Sequence, residues 1–586
     1  MNEYEVVVGI DFGSSGSGFA YSFFDKKSII PGQMSSSSNS NKVPTEIILN
    51  ENNEIIQFGA ECVNFIKENG IKNCYYFKGI KMELYKNNKT ITAKNSKKEF
   101  SLKLIIQKCL EKIKEIAILQ ISKNRPHLSN HTEKIKWVVT VPSIWEEHQK
   151  NIMMEACIDA GLVSQNTDKS LFFALEPEAA SLYCSINKEI KCFNEGEYYI
   201  VCDLGGGTGD IVAHLVGSNN VLNEIYPSCG GNYGSNEIDN LIFKEIIFKL
   251  FNCGDFNIFY SKYKEKNENN GNDEEKEKTN LFIEWLNLEK QIKDFKESLL
   301  SEKIVNCTKF PIDVSLFQEI YDDGIDLNNL INNYNKNITD KYLLLSVRNN
   351  KRKWIVEFPY AIIYDYIFNQ AKSICKIINN INLKEEIKSI ILVGGYCANE
   401  VLLKLIKSVG LEKIEKYLIP SNPSLAVMEG AVLFGIEPSK IKYRKSKYTI
   451  GIKVNHKWDD KKYSRNELKY FNETFKEWYC KDCFKKFIEI NKSIKYKDQI
   501  IEKNIFSDDC LPKISIYKTK KKNPIYIDEE GIIKIGECNL EIDGEYSNKS
   551  YDREIEIIMK FGGTFIDVIM IHVKSGKKIN TTFMFD

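Results

Sequence analysis

Two stretches of the sequence carry glycine, hydroxyl and acidic residues in the same order. One reads GIDFGSSGSG and the other, much further along the chain, reads VCDLGGGTGD. In each, an apolar run ends in an aspartate, followed by an apolar residue, a glycine and a series of small residues. Asp11 therefore aligns with Asp203, and Gly13 with Gly205. Either loop alone would be an ordinary hairpin turn, but their repetition indicates a duplicated strand–loop–strand unit.

These residue types suit the binding of phosphate and magnesium. Glycine lets the backbone approach a phosphate closely, and successive N–H groups in such a bend bind anions. An aspartate at a strand end can hold Mg²⁺ directly or through water. The residues predicted to do this are Asp11, Gly13, Ser14, Ser15, Asp203, Gly205, Gly206, Gly207 and Thr208. Neither loop fits the dinucleotide or Walker phosphate-loop pattern.

The elements that position these loops follow from the hydrophobic periodicity. Hairpins are predicted over 5–24 and 197–216. A strand is predicted over 135–145, and helices over 102–121 and 281–300. A third glycine element, VGGYCANE, predicts a strand, a turn at Gly394 and Gly395, and a helix within 386–410. Such a turn lets a flat group lie against the backbone, but taken alone it could equally be a plain turn.

Two other segments differ in character. Residues 262–278 are charged and rich in asparagine, which predicts a disordered insertion. After about residue 440, strands alternate with turns and a separate β-rich domain is predicted.

Cys480 and Cys483 form the C-x-x-C pair of this region, and we expect them on adjacent turns of a helix. A metal or redox role for Cys480 and Cys483 is the less favoured alternative, because the sequence has no second cysteine pair at zinc-finger spacing.

The composition is that of a soluble globular protein. Of 586 residues, 43% are hydrophobic and 27% charged, and the net charge of +1 gives no general attraction to nucleic acid or anionic membranes. No apolar run is long enough to cross a bilayer, and no secretory signal is evident. The 16 cysteines are scattered, as in a reducing compartment. We therefore expect a cytoplasmic protein.

With its three glycine motifs in this order, the chain resembles the actin-like ATPase superfamily. Within it, VVTVPSIW, LEPEAASLYC and CGGNYGSNEIDN are similar to stretches of the heat-shock seventy-kilodalton (DnaK-type) chaperones. FKGIKMELY, AVLFGIEPSKIKYRKS and WYCKDCFKKFI resemble the atypical twelfth branch of that family. The resemblance covers nearly the whole chain and implies ATP or ADP and Mg²⁺ as ligands.

The resemblance also implies a fold and its boundaries. The fold class is α/β, with two ribonuclease-H-like lobes in an actin-like nucleotide-binding domain over 1–440. Lobe I covers about 1–190 plus the end of the domain, and lobe II about 197–425. A smaller β-sandwich without a helical lid, similar to a substrate-binding domain, is expected over 441–586.

Catalytic roles are carried over from the family by position. Lys81, with Lys78 as the fallback, matches the lysine that supports the attacking water and the developing phosphate charge. Glu176 matches a carboxylate that orients water and Mg²⁺. Asp203 and Thr208 are expected around the γ-phosphate, with Asp11 across the cleft and Asp210 as a further Mg²⁺-side carboxylate. The implied reaction is a slow, in-line attack of water on the γ-phosphate of ATP.

The adenosine side resembles the family less closely. Glu289 and Lys293 match a helix beneath the adenosine, Gly394 and Gly395 lie opposite, and Gly230 and Gly231 match the ribose–phosphate side. Three family residues are replaced, by Ile292, Ala398 and Ser424. We therefore expect nucleotide affinity to differ from the family more than phosphate chemistry does.

The resemblance does not determine what the β-domain does or whether it responds to the nucleotide. The β-domain either binds extended apolar peptides or only packs on the ATPase lobes. Typical members have a short, acidic, leucine-rich linker, whereas PSKIKYRKSKY is basic. The usual linker contact is therefore not expected, and coupling between the domains is left open.

The favoured function is an ATP-hydrolysing, chaperone-like heat-shock or stress-response protein acting on unfolded clients or a specific partner. A non-catalytic nucleotide-dependent adaptor or signalling protein is the alternative, and a small-molecule kinase is less favoured. No nucleic acid and no membrane span are expected, and the oligomeric state is left open.

Overall fold

Two mixed sheets built to one plan form the larger part of the computed structural model. The structure describes residues 3–584 apart from 27, 36–39, 165–169, 188–189, 191–192, 268–273, 300–301, 306–307, 322–324, 349–352, 382–386, 412, 474, 507–510, 543–552 and 562. None of the described helices is long and apolar enough to cross a membrane.

The first part of the chain builds the first sheet and its helices. Its elements are β1 (Val6–Asp11), β2 (Gly16–Phe23), β3 (Ile30–Pro31), β4 (Lys42–Pro44), β5 (Glu46–Asn50), β6 (Ile55–Phe58), α1 (Glu61–Asn69), β7 (Cys74–Lys78), α2 (Ile80–Tyr85), β8 (Thr90–Thr92), β9 (Glu99–Ser101), α3 (Leu102–Asn124), β10 (Ile135–Val141), α4 (Glu147–Asp159), β11 (Leu171–Leu175) and α5 (Glu176–Ile186).

The middle part builds most of the second sheet. Its elements are β12 (Tyr198–Leu204), β13 (Gly209–Val216), β14 (Leu222–Gly231), α6 (Asn236–Leu241), α7 (Phe248–Phe251), α8 (Phe256–Lys266), α9 (Glu274–Glu297), α10 (Glu302–Val305), β15 (Lys309–Asp313), α11 (Leu327–Asn335), β16 (Ser346–Val347), β17 (Ile355–Pro359), α12 (Ala361–Ile381), β18 (Ser389–Val393), α13 (Glu400–Ser408), β19 (Lys416–Leu418) and α14 (Ala426–Ile436).

The two sheets share one topology around a central hairpin. In the first sheet, β1 pairs antiparallel with β2 and parallel with β10, which continues to β11. In the second sheet, β12 pairs antiparallel with β13 and parallel with β18, which continues to β19. The central strand β1 is buried along its whole length, as its continuous apolar sequence predicts for a strand covered on both faces. The repeat in the sequence thus has a counterpart in the topology.

Helices α5 and α14 lie between the two sheets. Their apolar residues share one core with residues of both sheets, such as Val7 and Val201. The helices cross very closely at Gly430, where a Cβ atom would lie 1.7 Å from the carbonyl oxygen of Ala179. Because α5 begins at Glu176, this packing fixes a charged residue at the junction of the sheets.

The predicted disordered insertion over 262–278 is wrong at both of its ends. Helix α8 continues to Lys266, and α9 already begins at Glu274. Apolar residues on these helices, such as Tyr263 and Leu281, are buried against the second sheet's helices. Residues 268–273, the middle of the predicted insertion, lie outside the described part of the chain.

The last part of the chain consists of strands and turns. Its elements are β20 (Ile441–Lys445), β21 (Thr449–Lys457), β22 (Lys469–Asn472), β23 (Glu477–Ile488), β24 (Ser493–Lys495), β25 (Asp498–Phe506), β26 (Lys513–Thr519), β27 (Ile532–Asn539), β28 (Glu554–Phe561), β29 (Phe565–His572) and β30 (Lys578–Met584). Two antiparallel sheets, β22-β23-β21-β26-β27 and β25-β28-β29-β30, pack over one hydrophobic core. Strand β20 pairs with β14 and β24, so it extends the second sheet.

Cys480 and Cys483 lie on strand β23, so the expected helix is wrong. A bulge, at which Asp482 has a φ of 58°, shifts the register between β23 and β21. Both thiols consequently reach one small buried cluster with Tyr463 and Tyr526. Burial raises the pKa of the Cys480 thiol to about 12, which favours the unreactive protonated form.

The β-rich part contacts the first sheet and its helices. Thr564 donates a hydrogen bond of 2.9 Å to the carbonyl oxygen of Phe173, and the ring of Phe565 lies 5.8 Å from that of Phe173. Lys518 forms an ion pair with Glu147 at the start of α4. The first two contacts join β11 to the start of β29, and the ion pair joins β26 to α4.

Candidate functional site

The two glycine loops meet between the sheets. Ser15 donates a hydrogen bond of 2.9 Å to the side chain of Asn236, at the start of α6. A Cβ atom on Gly206 would lie 1.8 Å from the Ser15 hydroxyl oxygen, and one on Gly207 would lie 2.3 Å from that of Ser14. The loops can approach each other this closely only because glycines stand at these positions.

A buried lysine lies among buried carboxylates beside these loops. Lys81, the second residue of α2, forms an ion pair with Glu176 at the start of α5. The Lys81 ammonium also lies 5.6 Å from the ring centre of Trp145. Three further buried carboxylates act electrostatically on this pair: Asp11, Asp203 and Asp210.

The ionisation of this cluster follows from burial and mutual repulsion. Burial, followed by the charges of Asp210 and Asp11, raises the pKa of Asp203 to about 7. Burial likewise raises the pKa of Glu176, against the effect of Lys81. Burial acts to lower the pKa of Lys81, but Glu176 and Asp11 outweigh it and raise that pKa. Lys81 is therefore charged at neutral pH. The positive charge near Asp203 and Glu176 is too small to offset the effect of their burial.

Asp210 is held in place from outside the hairpin. It lies opposite Asp203 in the register of β12 and β13. Its Oδ1 accepts hydrogen bonds from the backbone N–H and the hydroxyl of Ser143, at 2.7 and 2.6 Å. Its Oδ2 is buried and has no hydrogen-bond partner among the described residues. The neighbouring Thr208, also buried, acts with Ser143 to lower the pKa of Asp210, although burial raises it overall.

Lys42 and Thr45 belong to the site but are not predicted from the sequence. The Lys42 ammonium lies 2.5 Å from Oδ2 of Asp11. Thr45 donates a hydrogen bond of 2.7 Å to the carbonyl oxygen of Gly13, and so supports the first loop. No motif marks these residues, which follow a polar, serine-rich stretch. The sequence analysis also assigned no role to Ser143.

The other predicted glycines surround the second loop. Gly230 and Gly231 lie on β14, opposite Asp210 and Gly209 of β13. Gly394 has a φ of 88°, and a Cβ atom there would lie 2.5 Å from a carboxylate oxygen of Asp203. Its neighbour Gly395 has open space where a Cβ atom would be.

The predicted adenosine-side residues are not all brought together. Glu289, on α9, forms an ion pair with Lys78 at the end of β7 and accepts a hydrogen bond of 3.1 Å from Trp285. Lys78, the fallback for Lys81, therefore contacts Glu289 and not Glu176. Lys293 is exposed and lies 3.8 Å from Glu297, while Ile292 is fully buried in the core of the second sheet.

The donor set suits a hydrated magnesium ion. With every group ionised, the four carboxylates and the ammonium groups of Lys42 and Lys81 leave a formal charge of −2, which one divalent cation would balance. Within the described residues, no three His, Cys, Asp or Glu side chains are placed to hold one metal ion directly. Mg²⁺ commonly keeps several of its waters, and the unpaired Oδ2 of Asp210 offers an acceptor for one of them.

Fold and site together define an α/β protein in which a buried lysine and carboxylates lie between two duplicated glycine hairpins. The chain is similar to heat shock 70 kDa protein 12A of Homo sapiens, at 26% identity over 99% of this chain and 91% of that protein. It is also similar to the 12A protein of Mus musculus, at 26% identity over 98% of this chain and 90% of that protein. For heat shock 70 kDa protein 12B of Homo sapiens, the identity is 22% over 99% of this chain and 91% of that protein.

No family model matches the chain. The similarity to these three relatives nevertheless extends over nearly its full length, and it supports an atypical member of the heat-shock 70 kDa protein family. The resemblance predicted from the sequence is thereby confirmed.

Proposed function

We propose that this chain binds ATP with Mg²⁺ in the cleft of a two-lobed, actin-like ATPase domain over 1–440, and that it hydrolyses the nucleotide slowly. The observation that carries the proposal is the buried Lys81–Glu176 ion pair beside two opposed glycine hairpins. Burying a charged pair costs free energy unless its charges are compensated. A site that binds an anion and a cation together explains why so many charges are buried at this point.

Each residue of the cluster has a defined task in this proposal. Backbone N–H groups of the two glycine loops bind the phosphates, aided by the hydroxyls of Ser14, Ser15 and Thr208. Lys81 lies where negative charge develops on the γ-phosphate and stabilises it. Glu176 and Asp203 accept hydrogen bonds from the attacking water and orient it. A bound Mg²⁺ would supply charge neutralisation on the phosphate oxygens, and Asp11, Asp203 and Asp210 would hold its waters.

The adenosine would lie against α9 and the turn at Gly394. Because Glu289 contacts Lys78 and Trp285, adenosine binding on that side must displace or share the ion pair. Lys293 is exposed and free to turn toward a ligand from Glu297. These contacts support the expectation that affinity for the nucleoside differs from that of typical family members.

We further propose that residues 441–586 form a β-sandwich that binds extended apolar segments of unfolded or partner proteins. Support comes from the hairpin of β22 and β23, where Trp478 is 52% exposed, Phe471 40% and Phe475 37%. The rings of Phe471 and Trp478 lie 5.5 Å apart and form one aromatic surface. Exposed aromatic groups of this kind mark interaction sites more often than isolated apolar residues do.

A cytoplasmic location is part of this proposal. The described cysteines are all free thiols, which accords with a reducing compartment.

The decisive experiment is single-turnover hydrolysis of Mg-ATP, with and without an unfolded client. Lys81→Ala and Asp203→Asn should slow hydrolysis strongly, while Asp460→Asn, at an exposed carboxylate, serves as the matched control. Hydrolysis that is unaffected by both changes, with ATP still bound, would instead favour the non-catalytic adaptor.

Client binding is tested separately with Trp478→Ala. This change should weaken the binding of a fluorescently labelled apolar peptide without altering ATP affinity. Equal peptide affinity with ATP, with ADP and without nucleotide would argue against coupling of the two domains.

A further inference from the structure

Lys42 is placed at the site by the fold. It is the first residue of β4, which pairs with β2 opposite Gly18, and Gly18 in turn lies opposite Asp11 on β1. Its ammonium lies 2.5 Å from Oδ2 of Asp11, and the other carboxylate oxygen of Asp11 lies 3.4 Å from the hydroxyl of Thr140. Lys42 is therefore the strong partner of Asp11.

The two residues of this pair differ in their freedom to move. The side chain of Lys42 is 24% exposed, whereas that of Asp11 is 7% exposed. A lysine carries its charge on a flexible four-carbon stem. Lys42 can therefore turn away from Asp11 while its backbone stays in the sheet.

The charge of Lys42 also reaches beyond Asp11. It acts on the pKa of Asp203 in the lowering direction, against the effect of Asp11 and Asp210. Without Lys42, the four carboxylates and the ammonium group of Lys81 would leave a formal charge of −3. A site this negative would repel the phosphates of a nucleotide that carries no metal.

We propose that Lys42 is a built-in counter-ion that neutralises Asp11 when no divalent cation is bound and turns away from Asp11 when a cation takes its place. The inference rests on the proposed nucleotide site and assigns a residue of that site. It has two consequences. The protein retains part of its nucleotide affinity when Mg²⁺ is removed, and Mg²⁺ must displace Lys42 from Asp11 in order to bind.

The test compares affinity for a fluorescent ATP analogue in Mg²⁺ and in EDTA. The quantity of interest is the dissociation constant in EDTA divided by that in Mg²⁺. Lys42→Met leaves the metal-free site with a formal charge of −3 instead of −2, which repels the phosphates, whereas in Mg²⁺ the cation has already replaced Lys42. Removing one unit charge close to a phosphate corresponds to roughly a tenfold change in affinity or more. Lys42→Met should therefore raise this ratio about tenfold over wild type, whereas Lys42→Arg should leave it near the wild-type value. Lys97→Met, at an exposed lysine of the same lobe, is the matched control.

A second measurement needs no nucleotide. In Lys42→Met, Asp11 is left buried without its ammonium partner, so Mg²⁺ alone should raise the thermal midpoint more than in wild type. Lys42→Gln, which keeps a hydrogen-bond donor but no charge, should behave like Lys42→Met and replaces it if that variant does not fold.

The outcomes separate this inference from the function on which it rests. Binding of the analogue by all variants with an unchanged ratio would overturn the role of Lys42 and leave the nucleotide site intact. If wild type binds no nucleotide in either condition, the proposed function itself is wrong.

Discussion

Arg444 forms a two-point ion pair with Glu178 in the interior of the protein. Its Nε donates to Oε1 at 2.6 Å and a terminal nitrogen donates to Oε2 at 2.8 Å. The two side chains are 5% and 0% exposed. Glu178 lies two residues after Glu176 on α5, so this pair joins strand β20 to the helix that begins in the candidate site. The basic segment, which lacks the usual linker pattern, thus has a specific partner.

We expect Arg444→Met to lower the free energy of unfolding by about 3–5 kcal/mol, because it leaves the Glu178 carboxylate buried without a counter-charge. Equilibrium unfolding in urea, followed by circular dichroism, measures this loss. Arg444→Lys should recover only part of it, since a single ammonium cannot make both contacts of the guanidinium. The double variant Arg444→Met with Glu178→Leu should be more stable than Arg444→Met alone. A loss below about 1 kcal/mol would mean that the pair behaves like an exposed one.

Lys81 and Lys78 lie close in sequence but have different partners, so their substitutions should affect different steps. Lys81→Ala should lower the single-turnover hydrolysis rate by about 10²–10³-fold, the range typical for loss of one preorganised electrostatic contact. Lys78→Ala should instead change nucleotide affinity, because its partner Glu289 lies on the proposed adenosine side. Rapid-quench kinetics and titration with a fluorescent nucleotide distinguish the two effects. The reverse pattern would show that Lys78 has the role proposed for Lys81.

The sequence predicted the two glycine loops of the site, because they repeat one pattern. Asp11 and Asp203 were found because each ends an apolar strand before a glycine loop, a pattern that local physical chemistry determines. The pairing of β1 with β2 and of β12 with β13 then brings both aspartates to the hairpin ends.

The contacts that the sequence did not predict depend on distant pairing. Lys42 reaches Asp11 only because β4 pairs with β2, and the serine-rich stretch before β4 carries no signal for that pairing. Cys480 and Cys483 were assigned to a helix because a three-residue spacing fits one helical turn. A bulge in a strand also brings two residues at this spacing to the same side. The bulge is evident only from the register of β23 with β21.

The raised pKa of Asp203 predicts a pH dependence of stability. Its usual value is 3.8 and its value in the folded protein is about 7, so between these two pH values the folded state binds more protons at this site than the unfolded state. Stability contributed by Asp203 is therefore present in full below pH 3.8 and is lost as the pH rises toward 7. Asp203→Asn, which mimics the protonated form, should become more stable relative to wild type as the pH rises from about 5 to 8.

Chemical unfolding of both proteins at several pH values, without metal or nucleotide, measures this difference. Saturating Mg²⁺ should reduce it, because a bound cation favours the ionised carboxylate. A stability difference that stays constant from pH 5 to 8 would mean that Asp203 is ionised throughout, contrary to a pKa of about 7.

Gly394 offers the sharpest test of the third glycine motif, because its neighbour is a natural control. Its φ of 88° and ψ of 160° belong to a region that is almost restricted to glycine, and a Cβ atom would lie 2.4 Å from the carbonyl oxygen of Leu204. Gly394→Ala should therefore cost about 2 kcal/mol or more of stability. It should also weaken nucleotide binding, since the same Cβ atom would push against Asp203.

Gly395→Ala should have little effect on stability, because no described residue beyond its chain neighbours has an atom within 4 Å of its Cβ position. Thermal unfolding and nucleotide titration of the two variants, side by side, test the packing of this turn against the second loop. Should Gly395→Ala weaken nucleotide binding while stability is unchanged, the ligand itself must approach Gly395, as expected for a group lying flat against this turn. Equal stability of the two variants would contradict the close packing of Gly394 on the Asp203 strand.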